Sequence, residues 1–279
     1  MRKVKDNILN GLVWLSAIFT IGILVIILGF IFVKGIGKIN LTFLTSNYSA
    51  SGGGGILPMI VTTLWTVLLS LAVATPIGVL GAVYLQEYAK QGKMVAFIRF
   101  ATESLAGIPS IVYGLFGGIF FVVALKMGYS ILAGSLTVSI IILPVIIRTT
   151  EEALKTVPES YREASLGLGA TKFQTLYKVI LPSAMPGILS GVILSIGRII
   201  GESAAILLTA GTVAQMPKGI FSSARTLTVQ AYLVTKEKGD IETAAAVGIV
   251  LIVIILALNI SAKLIAKNLI RQTINLRWY

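Results

Sequence analysis

The chain has no cysteine and no histidine among its 279 residues. The first absence excludes disulfides, thiolate zinc sites and thiol nucleophiles. The second removes the side chain that most often acts as a base near neutral pH. No enzymatic site is therefore expected in this chain, and no metal or cofactor is expected to be held by it. Charge is scarce too. Asp, Glu, Lys and Arg make up 12% of the residues, against roughly 25% in a soluble domain. Hydrophobic residues make up 56%, and the mean hydropathy is +0.94. These values describe an integral membrane protein. The few charges are lopsided, with 23 Lys and Arg against 11 Asp and Glu. Also missing is any G-x-x-x-x-G-K-[ST] string, so the glycines of Ser51–Gly55 are read as flexible linker and not as a phosphate-cradling loop.

Long apolar runs dominate what is present. Gly11–Val33 is uncharged over 23 residues, enough to cross about 30 Å of hydrocarbon. It exceeds the 7–15 residues of a signal-peptide core, and no small-x-small site follows it, so it is read as a retained helix. Further runs occupy Ile56–Gln86, Met94–Leu125, Ile131–Ile147, Ser183–Gly211 and Ala244–Ala262. Pro76 kinks the second. Gly107, Pro109 and Gly114 distort the third, in which Arg99 and Glu103 are spaced to pair at i, i+4. Gly187, Gly191, Gly197 and Gly201 form two small-xxx-small pairs in the fifth. Between the fifth and sixth, Phe221–Val234 is expected to form a surface helix, and Gly239-Asp240 caps the last span. With the N-terminus inside, the inner segments hold fifteen Lys and Arg and the outer ones seven, which follows the positive-inside rule. The net charge of +12 thus answers to topology, and nucleic-acid binding is not needed to explain it.

The longest polar island is Glu151–Pro182, EEALKTVPESYREASLGLGATKFQTLYKVILP. Thr156-x-x-Glu159 and Thr171-x-x-Gln174 both have capping-box spacing, so two short helices are expected. Tyr161, Ala164, Ser165 and Leu168 line one apolar face, and Phe173, Leu176, Tyr177 and Ile180 line another. Two readings stand on the residues alone: a plug for a partner's groove, or a pair of helices resting on lipid head groups. The spacing narrows this. Glu163-Ala164-Ser165, three residues, Gly169, nine residues, Val179, one residue, Leu181-Pro182 resembles the EAA loop of ABC importer permeases. Ser165 stands for the second Ala of that pattern and Val179 for its Ile. In that family the loop is the coupling helix, seated in a separate cytoplasmic ATPase. The resemblance therefore assigns ATPase coupling to Glu163, Ala164, Ser165, Gly169, Leu181 and Pro182.

Arg198 and Glu202 fall inside the fifth run, four residues apart. Ionisable residues at mid-membrane cost roughly 2.5–3.5 kcal/mol each on insertion scales, so they face protein or water. They form either a structural salt bridge or part of a path on which the Arg198 guanidinium meets an anion, with Glu202 holding it at rest. Arg225, in the outer segment, is either a solvated charge or a third member of that path. Three strings, AGIPSIVYG at Ala106–Gly114, Arg148–Thr171 and GRIIGESAAILLTAG at Gly197–Gly211, are similar to the phosphate-specific ABC importer permeases, and the last is more similar to the PstA-like than to the PstC-like sister subunit.

The expected fold is all-α: six transmembrane helices in a type I ABC importer permease fold with a cytoplasmic coupling helix. The expected divisions are residues 1–55 (first helix and outer loop), 56–267 (permease core) and 268–279 (tail). The resemblance implies a phosphate importer in a prokaryotic cytoplasmic membrane, with both termini inside. Its partners would be a second, PstC-like permease, a PstB-like ATPase dimer carrying ATP and Mg, and a PstS-like external phosphate-binding protein. Permeases for molybdate or sulfate, and an ion-driven secondary transporter, are the alternatives.

Overall fold

The computed structural model describes residues 2–49 and 54–275, with side chains for 6, 7, 9–49 and 54–265. Residues 51–53 of the glycine stretch and 276–279 of the tail, Arg277 among them, lie outside the described residues. So do the side chains of Arg2, Lys3, Lys5, Lys267 and Arg271. Every regular element among the described residues is helical.

The first helix, α1 (Arg2–Gly35), stands apart from the bundle core. It touches the last helix, α12 (Ile241–Asn275), and Gly35 brings its backbone against Ala245 and Ala246. Its remaining faces are open, with Trp14, Ile26 and Val33 each about 70% exposed or more. Such a helix is stable only where its surroundings are as apolar as its side chains. A short α2 (Leu41–Thr45), capped by Asn40 Oδ1 accepting from Phe43 N at 2.7 Å, packs its Phe43 and Leu44 on the start of α3. Gly55 is held here by hydrogen bonds, its N–H donating to Asn47 O at 2.9 Å. The polar stretch after the first span is thus folded where it is described, Gly55 included, whereas residues 51–53 of the expected linker lie outside the described residues.

The core is the pair α3 (Leu57–Val83) and α6 (Ile131–Lys155). Small residues let the two backbones approach. Ser70 Oγ donates to Ser135 O at 3.0 Å, and Ser139 Oγ donates back to Ser70 O at 3.1 Å. A Cβ at Gly78 would lie 2.7 Å from Ile146 Cγ2. Between them in sequence, the third apolar run is not one rod. It breaks into α4 (Lys93–Ala106) and α5 (Ser110–Gly117, continued by a π-helical turn to Ala124), bent by 99°. Pro109 removes a donor and bars Ile108 from the helical region, which accounts for the break. Counting the bent pair as one crossing, the described residues hold six apolar spans.

After α6 come α7 (Glu159–Gly167), α8 (Lys172–Thr175) and α9 (Leu181–Gly201). A π-helical turn joins α8 to α9, so Lys172–Gly201 is one continuous helix. The chain then makes α10 (Ala204–Thr209), and α11 (Leu227–Lys238) precedes α12. Gly187 and Gly191 of α9 seat Ala153 and Thr149 of α6, whereas Gly197 and Gly201 have nothing of the described residues within 4 Å of a built Cβ. Of the two small-residue pairs, one therefore packs internally and one stays open. Asp240 caps α12 as expected, accepting from Thr243 N at 2.9 Å and Thr243 Oγ1 at 2.6 Å. The helix expected over Phe221–Val234 is α11, shifted towards the C-terminus and buried through Leu227, Val229 and Gln230. One face thus packs into the bundle, while Tyr232 and residues 235–238 remain at the surface as expected.

Candidate functional site

The two ends of the bundle carry different chemistry. At the end where α3 and α6 finish, α7 stands out with no buried residue. Its start differs from the expected capping box. Val157 precedes Pro158 and is kept out of the helical region, so Thr156 cannot cap; its hydroxyl donates to Ala153 O at 2.8 Å, closing α6. Glu159 pairs instead with Arg162, Nη1 to Oε2 at 2.8 Å. The second box forms fully: Gln174 N donates to Thr171 Oγ1 at 3.2 Å, and Thr171 N to Gln174 Oε1 at 2.9 Å. The expected second helix of the island is thus the opening turn of a spanning helix, and the island's first residues, 151–155, close α6.

The turn between them is a Schellman motif. Gly169 N donates to Leu166 O at 2.9 Å and Ala170 N to Ser165 O at 3.2 Å, with Gly169 at φ +84°. This turn lifts Leu168 into the open at 90% exposure. Tyr161, Leu166, Phe173 and Tyr177 are exposed around it, the last two with rings stacked at 6.4 Å. Tyr161, Ala164, Leu168, Tyr177, Leu181 and Pro182 line one open groove. Of the residues singled out from sequence, Glu163, Ala164 and Gly169 are exposed on this feature. Ser165 turns inward, its Oγ 2.9 Å from Thr175 Oγ1, and Leu181 and Pro182 are half-buried at the groove floor. An apolar, preformed, protruding surface of this kind suits a partner's cleft.

Ion pairs that sequence spacing did not reveal surround this end. Arg162 Nη2 donates to Glu87 Oε1 at 2.6 Å, both side chains 17% exposed. That bond to the Glu87 carboxylate pushes the Arg162 pKa still higher than usual. Arg99 pairs with Glu151 of α6, Nε to Oε1 at 3.1 Å, not with Glu103. The spacing of Arg99 and Glu103 is correct for a helix, but Glu151 is more buried, and an unpaired buried carboxylate is costlier than an exposed one. The signal missed was Glu151 itself, at the end of a long apolar run.

At the opposite end, α9 finishes at Gly201. Glu202 is extended (ψ 127°), so it does not share a helical face with Arg198. Its carboxylate accepts from Ala205 N at 3.1 Å and thereby caps α10, while Thr228 Oγ1 donates to the Ile200 carbonyl. No ion pair joins Arg198 to Glu202 among the described residues. Arg198 sits in the last turn of α9 with its side chain exposed, where a cation suits the helix C-terminus. Arg225 is no solvated charge. It is 9% exposed, its guanidinium lies 4.6 Å above the Tyr48 ring, and its Nε has no hydrogen-bond partner among the described residues. No group of three or more His, Cys, Asp or Glu able to hold a metal occurs among the described residues.

Comparison with known proteins bears on this geometry. Residues 74–274 match the family described as binding-protein-dependent transport system inner membrane component. The probable ABC transporter permease protein YqgI of Bacillus subtilis is 35% identical over 280 residues, covering 94% of this chain and 95% of that protein. The phosphate transport system permease protein PstA of Pasteurella multocida is 38% identical over 210 residues, covering 75% of each. Among solved structures, a chain of a bacterial alginate ABC transporter superposes with a TM-score of 0.66, at 16% identity, over 96% of this chain and 94% of that one. At that identity the likeness concerns the fold, which is that of the type I ABC importer permeases.

Proposed function

The chain belongs to the binding-protein-dependent transport inner membrane components, and from that premise we propose that it admits inorganic phosphate across the membrane. It is a permease subunit of an ABC importer and not itself an enzyme. In this reading α7 and the Gly169 turn dock in a cytoplasmic ATPase dimer, where ATP and Mg are bound and hydrolysed. Closure of that dimer pushes on Glu163, Ala164 and the exposed Leu168. The spans then rock between inward-open and outward-open states, and a second permease completes the path. The opposite end, with Arg198 and Arg225, receives phosphate from an external binding protein. Both termini lie in the cytoplasm, in keeping with the fifteen-to-seven distribution of Lys and Arg.

The observation that carries the coupling reading is the protruding surface around Leu168, 90% exposed beside a preformed turn. Phosphate is supported by the PstA relative and by Arg198, whose planar donor fork matches an oxyanion. Glu202 has a narrower part than its spacing suggested: it holds the α9–α10 corner behind Arg198 and does not neutralise it. The test is uptake of radiolabelled phosphate by the four-component complex in proteoliposomes. ATP-dependent uptake in the parent, and its loss in Arg198→Gln with the complex still assembled, are expected. Uptake by Arg198→Gln at the parental rate refutes the role of Arg198. Complete displacement of phosphate by equimolar sulfate or molybdate refutes the cargo.

A further inference from the structure

A docking helix is useful only if its displacement reaches the spans. α7 has no fully buried side chain, so apolar packing carries little of that load. Besides its two chain ends, it is joined to the bundle by polar ties. Ser165 Oγ meets Thr175 Oγ1 at 2.9 Å, which links α7 to the α8–α9 helix. Arg162 Nη2 meets Glu87 Oε1 at 2.6 Å, which links it across 75 residues of sequence to the end of α3. The second tie is the stiffer. It is charge-assisted, short and mostly screened from water, and Glu159 fixes the other arm of the guanidinium at 2.8 Å.

Glu87 lies in a π-helical turn, Tyr84–Tyr88, that completes α3. The network goes on from there. Gln91 Nε2 donates to Leu85 O at 3.4 Å, and Gln91 Oε1 accepts from Arg99 Nη1 at 3.1 Å. Arg99 in turn grips Glu151 on α6 at 3.1 Å. Arg99 belongs to α4, the inner arm of the elbow bent by 99°. One polar line thus runs from α7 through the α3–α4 turn to both the elbow and the core helix α6.

We propose that the Arg162–Glu87 pair is the strut through which movement of α7 is passed to α3 and the α4–α5 elbow, making both of them positioning residues for transport. The inference rests on the reading of α7 as the ATPase-docking helix. Without the strut, α7 still docks, and the non-helical 156–158 and 168–171 connections take up its displacement by backbone rotation. ATP is then consumed with less motion in the spans.

The chain has no native cysteine, so two labels can be introduced cleanly. Spin labels at Ile77→Cys on α3 and Ile119→Cys beyond the elbow, both exposed, report the separation of the two elements. A single label at Leu166→Cys reports docking of α7. The complete complex with its cognate ATPase is measured in nanodiscs, with and without ATP and vanadate. Glu87→Gln and Arg162→Met are each expected to cut the nucleotide-driven change in the Ile77–Ile119 distance to less than a third. ATP turnover should stay within twofold of the parent. The reversed pair Glu87→Arg with Arg162→Glu, made with Glu159→Gln to remove the like charge, is expected to restore the change. A full distance change in both broken-strut variants overturns the strut while leaving docking intact. An α7 label in the parent that does not respond to the ATPase overturns docking, and the strut with it.

Discussion

Replacing Gly169 by alanine separates backbone from surface at the turn proposed to dock the ATPase. Gly169 has φ +84°, and a Cβ built on it meets nothing among the described residues within 4 Å. The substitution therefore adds no clash; its cost is the left-handed backbone, about 1–2 kcal/mol for a residue with a Cβ. Relaxing that strain breaks the Schellman bonds from Gly169 N and Ala170 N, and Leu168 leaves its raised position. The ratio of the raised turn to its relaxed forms then falls by a factor of about 5–30. Apparent affinity for the ATPase falls by up to the same factor, since only the competent fraction binds. Gly169→Asn is the control, because asparagine enters the left-handed region far more easily than alanine. The assay is ATPase binding to the permease pair in nanodiscs, alongside thermal unfolding. Alanine is expected to weaken binding by up to that factor, asparagine by much less, and neither to shift the unfolding temperature by more than about 2 °C, since the turn is exposed. Equal weakening by both would show that side-chain bulk is at fault and refute the backbone argument. No weakening by either would remove the turn from the docking surface.

Two further substitutions probe the scaffold. Gly191→Ala should destabilise the chain in detergent by about 1–3 kcal/mol, because its Cβ would overlap the Thr149 side chain and push α6 from α9, whereas Gly197→Ala should be neutral or slightly stabilising, and differential scanning fluorimetry on the two separates them. Asp240→Ala should lose about 0.5–2 kcal/mol at pH 7 through the missing α12 cap. The hydrogen bonds from Thr243 hold the Asp240 carboxyl below its ordinary range. Its contribution is therefore present above about pH 3.9 and is lost as the pH falls through the lowered folded value, so the difference between parent and Asp240→Ala should shrink on acidification below that pH.

What could be read in advance divides along a physical line. Apolar runs are set by hydrocarbon thickness, and length alone placed the spans at Leu57, Ile131 and Ile241 within a few residues. Local capping was legible wherever the cap and its target lie within one turn: Thr171 with Gln174, and Asp240 with Thr243. The Thr156 box failed through an equally local rule, the restriction that Pro158 puts on Val157, which outranks cap preference because it is steric. The exposure of Glu163, Ala164 and Gly169 was legible because the polar island that holds them is set off by one turn and one helix start.

The charged side chains were the poorly legible part. Arg99 had Glu103 one turn away but took Glu151, 52 residues on. Arg225 had every appearance of a loop charge, yet it lies buried over Tyr48. Glu202 had helical spacing from Arg198, but the helix ends before it. In a chain with 12% charged residues, each buried charge has few possible partners, and those partners are brought near by packing rather than by sequence proximity. Apolar side chains need only a face, which a period of 3.6 residues provides. A guanidinium needs a particular oxygen at about 3 Å, and only the assembled bundle decides which one is there. For that reason the Arg162–Glu87 tie is invisible in the sequence and prominent in the fold. For the same reason the polar pairs, and not the hydrophobic faces, are where this permease departs most from what its sequence pattern predicts.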